Sequence, residues 1–275
     1  MALLTFHKVL SGCETGDAIA WRAFLTDYTP LIHQLARIYL PGAAHPEQLW
    51  KETLLDLSRD HFNALRGFEH QSEREFLLDL RMFYLRKSQS ALDPDLDRKD
   101  FPEPTPPGIE EVLKGAPLVH QEVLFLKLAG YSDATLEKIF RLTPSVAQTS
   151  LERLKATYSN ALGNQTDEGL RPAAWLKMLG ELWAAKTEKC PSARLFIRVQ
   201  EGQVGWQEKD PAEKHVSECL TCLECWTALR ELAYWRWAAA ASPAAQVEGL
   251  LAMLPVSEAA AGKKQKSMMN RLFGS

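Results

Sequence analysis

No stretch of this 275-residue chain approaches the roughly eighteen uninterrupted apolar residues of a membrane-spanning helix, so no transmembrane segment is expected. The opening MALLTFHKVLSGCETGD holds too short an apolar run for a secretory leader, which points to a cytoplasmic protein. Basic charge is not in excess: the net charge is −3, which gives no global attraction to nucleic acid and leaves any such contact to a local patch. Ser/His/Asp constellations, phosphate-cradling loops and paired carboxylates are missing, so the chain is not expected to be an enzyme. Cysteine is scarce. There are five, an odd number with three of them clustered, which argues against a disulfide framework and for reduced thiols that bind a metal.

The cluster lies in CPSARLFIRVQEGQVGWQEKDPAEKHVSECLTCLEC, residues 190–225. Asp210 followed by Pro211 reads as a helix start, an oxygen cap with proline in the first turn. On that helix His215 and Cys219 are four residues apart and share a face, and Cys222 can swing in from the following turn. An imidazole and two thiolates then converge as a tetrahedral zinc requires. Cys190 is the preferred fourth ligand, because a ligand distant in sequence staples two helices together; Cys225 competes for the place. Inert buried thiols, or redox chemistry of the Cys-x-x-Cys pair, are the rival readings. Thiolate ligands are also open to oxidants, so loss of zinc on oxidation is a further expectation. This motif with its upstream cysteine resembles the zinc-containing anti-sigma domain that restrains bacterial extracytoplasmic-function sigma factors.

Along residues 15–89 no apolar–polar alternation of the strand type appears, and apolar residues recur instead at helical spacing. Ile19, Trp21, Phe24, Leu25 and Tyr28 mark one helix, and Pro30 ends it or starts the next. Leu31 to Leu40, Leu49 to Leu57 and Phe76 to Leu85 mark others, and together they predict a small all-α bundle. The run GDAIAWRAFLTDYTPLIHQLARIYL looks like the start of sigma factor region 2. HPEQLWKETLLDL stands where that family has its polymerase-binding helix, which implies contacts from Gln48, Leu49 and Glu52 to RNA polymerase core. LRGFEHQSEREFLLDLRMFYLRKSQS is similar to the promoter-melting segment. The resemblance implies promoter DNA contacts from Arg81, Tyr84, Arg86 and Lys87, with Phe83 or Tyr84 stacking on an unpaired base. The plain alternative makes Phe83 core and the arginines a solvated face.

Residues 90–110 carry five prolines and alternating charge, a composition that predicts an extended linker with no helix. Residues 111–163 turn helical again. Gly130 ends the first helices, Ser132 caps DATLEKIF, RLTP forms a turn, and SVAQTSLERLKATY resumes a helix. Two helices across a short turn make a helix-turn-helix, though plain helical packing gives the same pattern. The segment resembles sigma region 4, and the order region 2, linker, region 4 matches that family. This implies DNA contacts from Arg141, Ser145, Gln148, Thr149, Arg153 and Lys155. Arg141 stands where the family usually has the turn glycine, Glu137 where it has a small residue, and Gln148 and Ser150 where it has cations. Gln48 and Lys51 likewise replace an acid and a glutamine. Fewer cations predict weaker DNA binding with a shallower salt dependence.

Trp175, Leu176, Leu179, Leu182 and Trp183 form one stripe on a helix within residues 164–189, expected to dock on the region 4-like part or on the metal domain. The apolar spacing from Trp226 to Trp237 reads as core. Residues 241–275 are expected to be a flexible alanine-rich and basic tail with one short apolar helix, QVEGLLAML, and a last stretch that is either frayed or a basic amphipathic helix. The expected architecture is therefore all-α: a region 2-like bundle (1–89), the linker, a region 4-like domain (111–163), a linking helix (164–189), a zinc-binding domain (190–240) and the tail. The expected function is transcription initiation gated by metal or thiol chemistry, through intramolecular docking of the anti-sigma-like part on the sigma-like parts. The alternative is a sigma-like helical scaffold that binds protein partners and no longer binds promoter DNA.

Overall fold

The computed structural model describes residues 5–41, 45–68, 71–89, 105–142 and 172–256, together with positions 149 and 152. All its described elements are helices, so the all-α expectation holds. None of the described helices is long and apolar enough to cross a membrane.

The first bundle comprises α1 (Phe6–Glu14), α2 (Ala18–Tyr39), α3 (Pro46–Arg66) and α4 (Glu73–Gln89). Asp17 starts α2 by accepting from the Ile19 N–H at 3.1 Å, which satisfies one orphan donor of the first turn. Trp21, Phe24, Tyr28 and Phe76 fill the centre with tilted and edge-on ring contacts between 4.9 and 6.0 Å. Helix α1 was not anticipated. Its Val9, Leu10 and Cys13 are buried, and the Cys13 carbonyl accepts from the Trp21 indole at 3.0 Å. Helix α2 runs unbroken through Pro30, which neither ends nor starts a helix; the proline ring is buried among the helix's other core residues.

Next come α5 (Pro106–Leu113), α6 (Leu118–Leu128) and α7 (Asp133–Phe140). The proline-rich segment is thus helical from Pro106 onward, against the expectation of extended chain to residue 110. Two prolines in the first turn forgo only N–H groups that have no intrahelical partner, and the Thr105 hydroxyl caps the turn by accepting from the Gly108 N–H at 3.3 Å. Helix α7 ends on Arg141 in the left-handed conformation, φ 53°, with the Leu142 N–H reaching back to the Glu137 carbonyl at 2.9 Å. This is the position at which a glycine would be unstrained. Thr149 is helical and exposed, while Ser145, Gln148, Arg153 and Lys155 lie outside the described residues.

The remaining helices are α8 (Pro172–Ala184), α9 (Ala193–Gln200), α10 (Trp206–Glu218), α11 (Leu220–Ala238) and α12 (Ala244–Leu251). Helix α11 is the hub. It packs against α2, α4, α6, α7, α8, α9 and α10, and buries Leu223, Trp226, Leu229 and Leu232 but also Glu224 and Glu231. Each such large apolar side chain contributes about 1.5–3 kcal/mol on burial. One continuous apolar core runs through all these segments. Helix α8 docks both ways: Trp175 meets Phe125 of α6 at 5.1 Å, and the Leu182 carbonyl accepts from Thr221 of α11 at 3.1 Å. At the far end of α11, Trp237 is 83 % exposed and is not core. Helix α12 and the turn after it are also seated, with Val247, Leu250, Leu251 and Leu254 buried and Glu248 paired to Arg22 at 2.6 Å. This part of the expected flexible tail is therefore packed on α2; residues 257–275, with their basic stretch, lie outside the described residues.

The left-handed Arg141 yields a direct test. Arg141→Gly removes a Cβ clash that costs roughly 1–2 kcal/mol, against a smaller gain in unfolded-chain entropy. Urea unfolding is expected to show a net stabilisation of about 0.5–1 kcal/mol, whereas Arg141→Val should destabilise.

Candidate metal centre

Three local structures bring the candidate ligands together. Cys190 closes a turn, its N–H donating to the Thr187 carbonyl at 3.0 Å, immediately before Ser192 caps α9 by accepting from the Leu195 N–H at 3.3 Å. His215 sits in the last turn of α10. Cys219 is the single extended residue, φ −132° and ψ 108°, between α10 and α11, and Cys222 lies in the first turn of α11. The expected helix start at Asp210 is displaced: α10 begins at Trp206 after Gly205, with Pro211 inside it. The proline is tolerated because Gln207 and its neighbours in that first turn are exposed, where water can satisfy the freed carbonyl. The Cys219–Cys222 spacing thus spans a helix-to-helix corner, so the backbone is bent around the site.

One donor atom from each of Cys190, His215, Cys219 and Cys222 lies within 4.8 Å of all the others. Four thiolate and imidazole ligands around zinc, with Zn–S about 2.3 Å, stand roughly 3.5–3.8 Å apart, so a small inward movement closes a tetrahedron. The His215 Nε2 atom is buried and has no hydrogen-bond partner. A polar atom left so is costly unless something else satisfies it, and a coordinated cation does. Cys190 and Cys222 pull each other in opposite directions. Burial raises the Cys190 thiol, but hydrogen bonds from the Thr187 backbone and hydroxyl, from Cys222 and from His215 outweigh it and hold the group below the ordinary thiol range. Burial, then the Cys219, Cys190 neighbours, push Cys222 well up. A divalent cation removes that conflict by stabilising every thiolate at once. The donor set fits a metal ion, and its sulfur-rich tetrahedral character is compatible with zinc.

Cys225 is not in the group. It faces a cleft with Trp183, Lys186, Met82 and Asp79, and burial with a contribution from Glu224 pushes its thiol up to about 12. Of the two competitors for the fourth place, Cys190 is the one the fold delivers.

The residues expected to touch DNA and polymerase are spread differently. Arg81 was expected to face phosphate, yet it is 1 % exposed and its charge is met by acids of α11. Its Nη1 donates to Glu224 at 2.7 Å, Nε to Glu231 at 2.9 Å and Nη2 to the Tyr39 hydroxyl at 3.0 Å. Tyr84 is fully buried edge-on to Trp50 at 6.1 Å and is equally withdrawn from any base. Phe83 is half-buried against Phe68. Arg86 is exposed over the Trp183 ring, and Lys87 pairs with Asp56. On α3, Gln48 is exposed and donates to Glu52 at 3.1 Å, while Leu49 is half-buried. Sequence periodicity missed the polar set around Arg81 because Glu224 and Glu231 are seven apart on one helix, a spacing that reads equally well as an exposed charged stripe.

No protein-family model, curated protein or solved structure matches this chain. Its chemistry must be argued from its own residues.

Purified under reducing conditions, the protein is expected to hold about one zinc per chain by elemental analysis, as a closed four-ligand site implies. Cys219→Ala and His215→Ala should lower affinity on the order of 100-fold or more, and Cys190→Ala should weaken it far more than Cys225→Ala. A metal-free native protein, or loss of metal on Cys225→Ala alone, would refute this ligand set.

Proposed function

We propose that the chain is a transcription regulator similar to an extracytoplasmic-function sigma factor, held closed in cis by its own zinc-binding segment. The observation that carries this reading is the seat of α11. The helix that begins at Cys222's turn lies between the region 2-like helices α2 and α4 and the region 4-like helices α6 and α7. On one side its Glu224 and Glu231 hold Arg81, and on the other its Trp226 and Arg230 donate to Glu122 of α6, the latter at 2.6 Å. A restrained regulator needs this: one element that grips both functional parts and covers residues through which they would act.

The energies are compatible. Moving a two-state equilibrium from 99:1 closed to 99:1 open takes about 5.5 kcal/mol. Structural zinc sites in small zinc domains contribute on the order of 10–16 kcal/mol of folding free energy, so loss of the metal supplies a shift of the needed size to the extent that folding of residues 190–238 is coupled to the seat of α11. Oxidation of the ligand thiolates is one route to that loss. Opening would free the α4 surface around Arg81 for promoter DNA, and the exposed Gln48 edge of α3 would meet polymerase core.

Capture of bacterial RNA polymerase core followed by run-off transcription tests the reading on the full chain. The metal-stripped protein is expected to capture core and bind promoter DNA, and the zinc-loaded protein to bind promoter DNA at least tenfold less well. Arg153→Ala with Lys155→Ala should weaken DNA binding on all sequences and flatten its salt dependence. Absence of both activities in either metal state would leave the protein-binding scaffold as the surviving reading.

A further inference from the structure

The centre of the molecule contains a charged cluster that zinc binding does not use. Arg81 of α4, Tyr39 of α2, Tyr131 just after α6, and Glu224 and Glu231 of α11 are all buried to 2 % exposure or less. The Glu231 carboxylate accepts from the Tyr39 hydroxyl at 2.8 Å, from Arg81 Nε at 2.9 Å and from the Tyr131 hydroxyl. Trp235, one turn further along α11, donates to the Tyr131 hydroxyl at 2.9 Å, and the Arg81 guanidinium also stands over the Tyr39 ring at 5.1 Å. None of these side chains has a buried polar atom without a partner. Three separate stretches of chain are thus joined at one carboxylate.

Ion clusters of this kind are a poor way to gain stability. Desolvating one guanidinium and two carboxylates costs several kcal/mol per ion, and apolar residues of similar volume often do as well or better. What charges do offer is an open state that is well hydrated. When a wholly apolar seam parts, it exposes only oily surface; when this one parts, its ions return to water beside the apolar side chains that are uncovered with them. The same asymmetry makes a broken pair costly while the seam is shut, so any mismatch of register is rejected. The ties at the edge of α11 follow suit: Arg236 pairs with Glu73 of α4 at 2.7 Å and Asp27 of α2 at 3.3 Å, and Arg230 with Glu122. A helix at the middle of a bundle is held on several sides by charge.

We propose that the Arg81–Glu224–Glu231 cluster, braced by Tyr39 and Tyr131, is a release latch that makes the seat of α11 the seam along which this chain opens while the zinc site stays formed. The inference rests on the proposed closed and open forms, and it assigns the opening step to a set of residues distinct from the metal ligands. The latch sets how often α11 leaves; the metal sets whether residues 190–238 are folded to return.

Hydrogen exchange at the α11 amides of the zinc-loaded full chain reads this without DNA or polymerase, so its failure and that of the transcription reading are separable. Metal content is measured on every variant. Glu231→Gln is expected to speed exchange along α11 about tenfold or more with zinc retained, and Tyr131→Phe, which deletes one hydroxyl, several-fold. The triple change Arg81→Met, Glu224→Met, Glu231→Met is expected to slow it about tenfold or more, since an apolar seam no longer gains hydration on opening. Rates within twofold of native in all three variants would overturn the latch. So would a triple variant that exchanges faster or fails to fold, because the charges would then be a requirement of the closed core. Loss of zinc in Glu231→Gln would overturn the separation of latch from metal site.

Discussion

The seat of α11 depends on a single carboxylate meeting three donors from three different parts of the chain. Glu231 is fixed by Tyr39, Arg81 and Tyr131, and no lateral slide or rotation of α11 by one residue preserves that arrangement, because each step turns the side chain by about 100°. Apolar contacts alone tolerate such shifts. The core around Leu229 and Leu232 supplies most of the favourable free energy, and the polar set decides which of the many compact arrangements it stabilises. Burial holds the Glu231 carboxyl above the ordinary carboxylate range, and Arg81, then the Tyr131 and Tyr39 hydroxyls, offset that only in part.

One ligand of the candidate metal site, Cys222, and both carboxylates of this cluster sit on one helix. Cys222 and Glu231 are nine residues apart, about 14 Å along the axis, and α11 runs between them with no proline or glycine to absorb a bend. Fixing the first turn of α11 through Cys222 therefore restricts the angle at which Glu231 enters its pocket. Conversely, a seated Glu231 presents Cys222 to His215 and Cys190 with little residual freedom. Any coupling would be mechanical and short-range, carried by one rigid element, and reciprocal only as far as metal affinity differs between the seated and released forms of α11.

Much of this was legible in the sequence. Apolar residues at helical spacing marked nearly every described helix, and the His-x3-Cys-x2-Cys spacing with a distant Cys190 picked out the group that converges in the fold. The proline misses are local, and the others share a cause: they were decided by contacts distant in sequence. Prolines at 30, 106 and 107 read as breaks and Pro211 as a helix start, yet 106 and 107 stand in a first turn where no hydrogen bond is lost, and 30 and 211 are carried inside longer helices. Arg81 read as a surface cation because its two acids lie about 150 residues away. Residues 241–256 read as tail because the partner of Val247 and Leu250 is α2, at the other end of the chain. A local pattern carries the identity of a helix; it does not carry what lies across from it.

The shared core changes what restraint would mean in the proposed regulator. A separate inhibitory domain is displaced by dissociating from its target, and its hold is governed by an interface between two finished surfaces. In this chain α11 buries most of its residues from Cys222 to Leu232, so its departure would uncover Trp226, Leu229 and Leu232 along with the charges. Exposed apolar area of that kind must be covered again, by return of α11 or by another partner, and the covalent tether keeps the effective concentration of α11 high throughout. An open form would persist only when something else occupies the α2–α4 face, or when the metal segment has lost the structure needed to return. In the proposed regulator, release and capture by a partner would then be a single thermodynamic step, and the strength of the signal needed to open the chain would fall as the affinity of that partner rises.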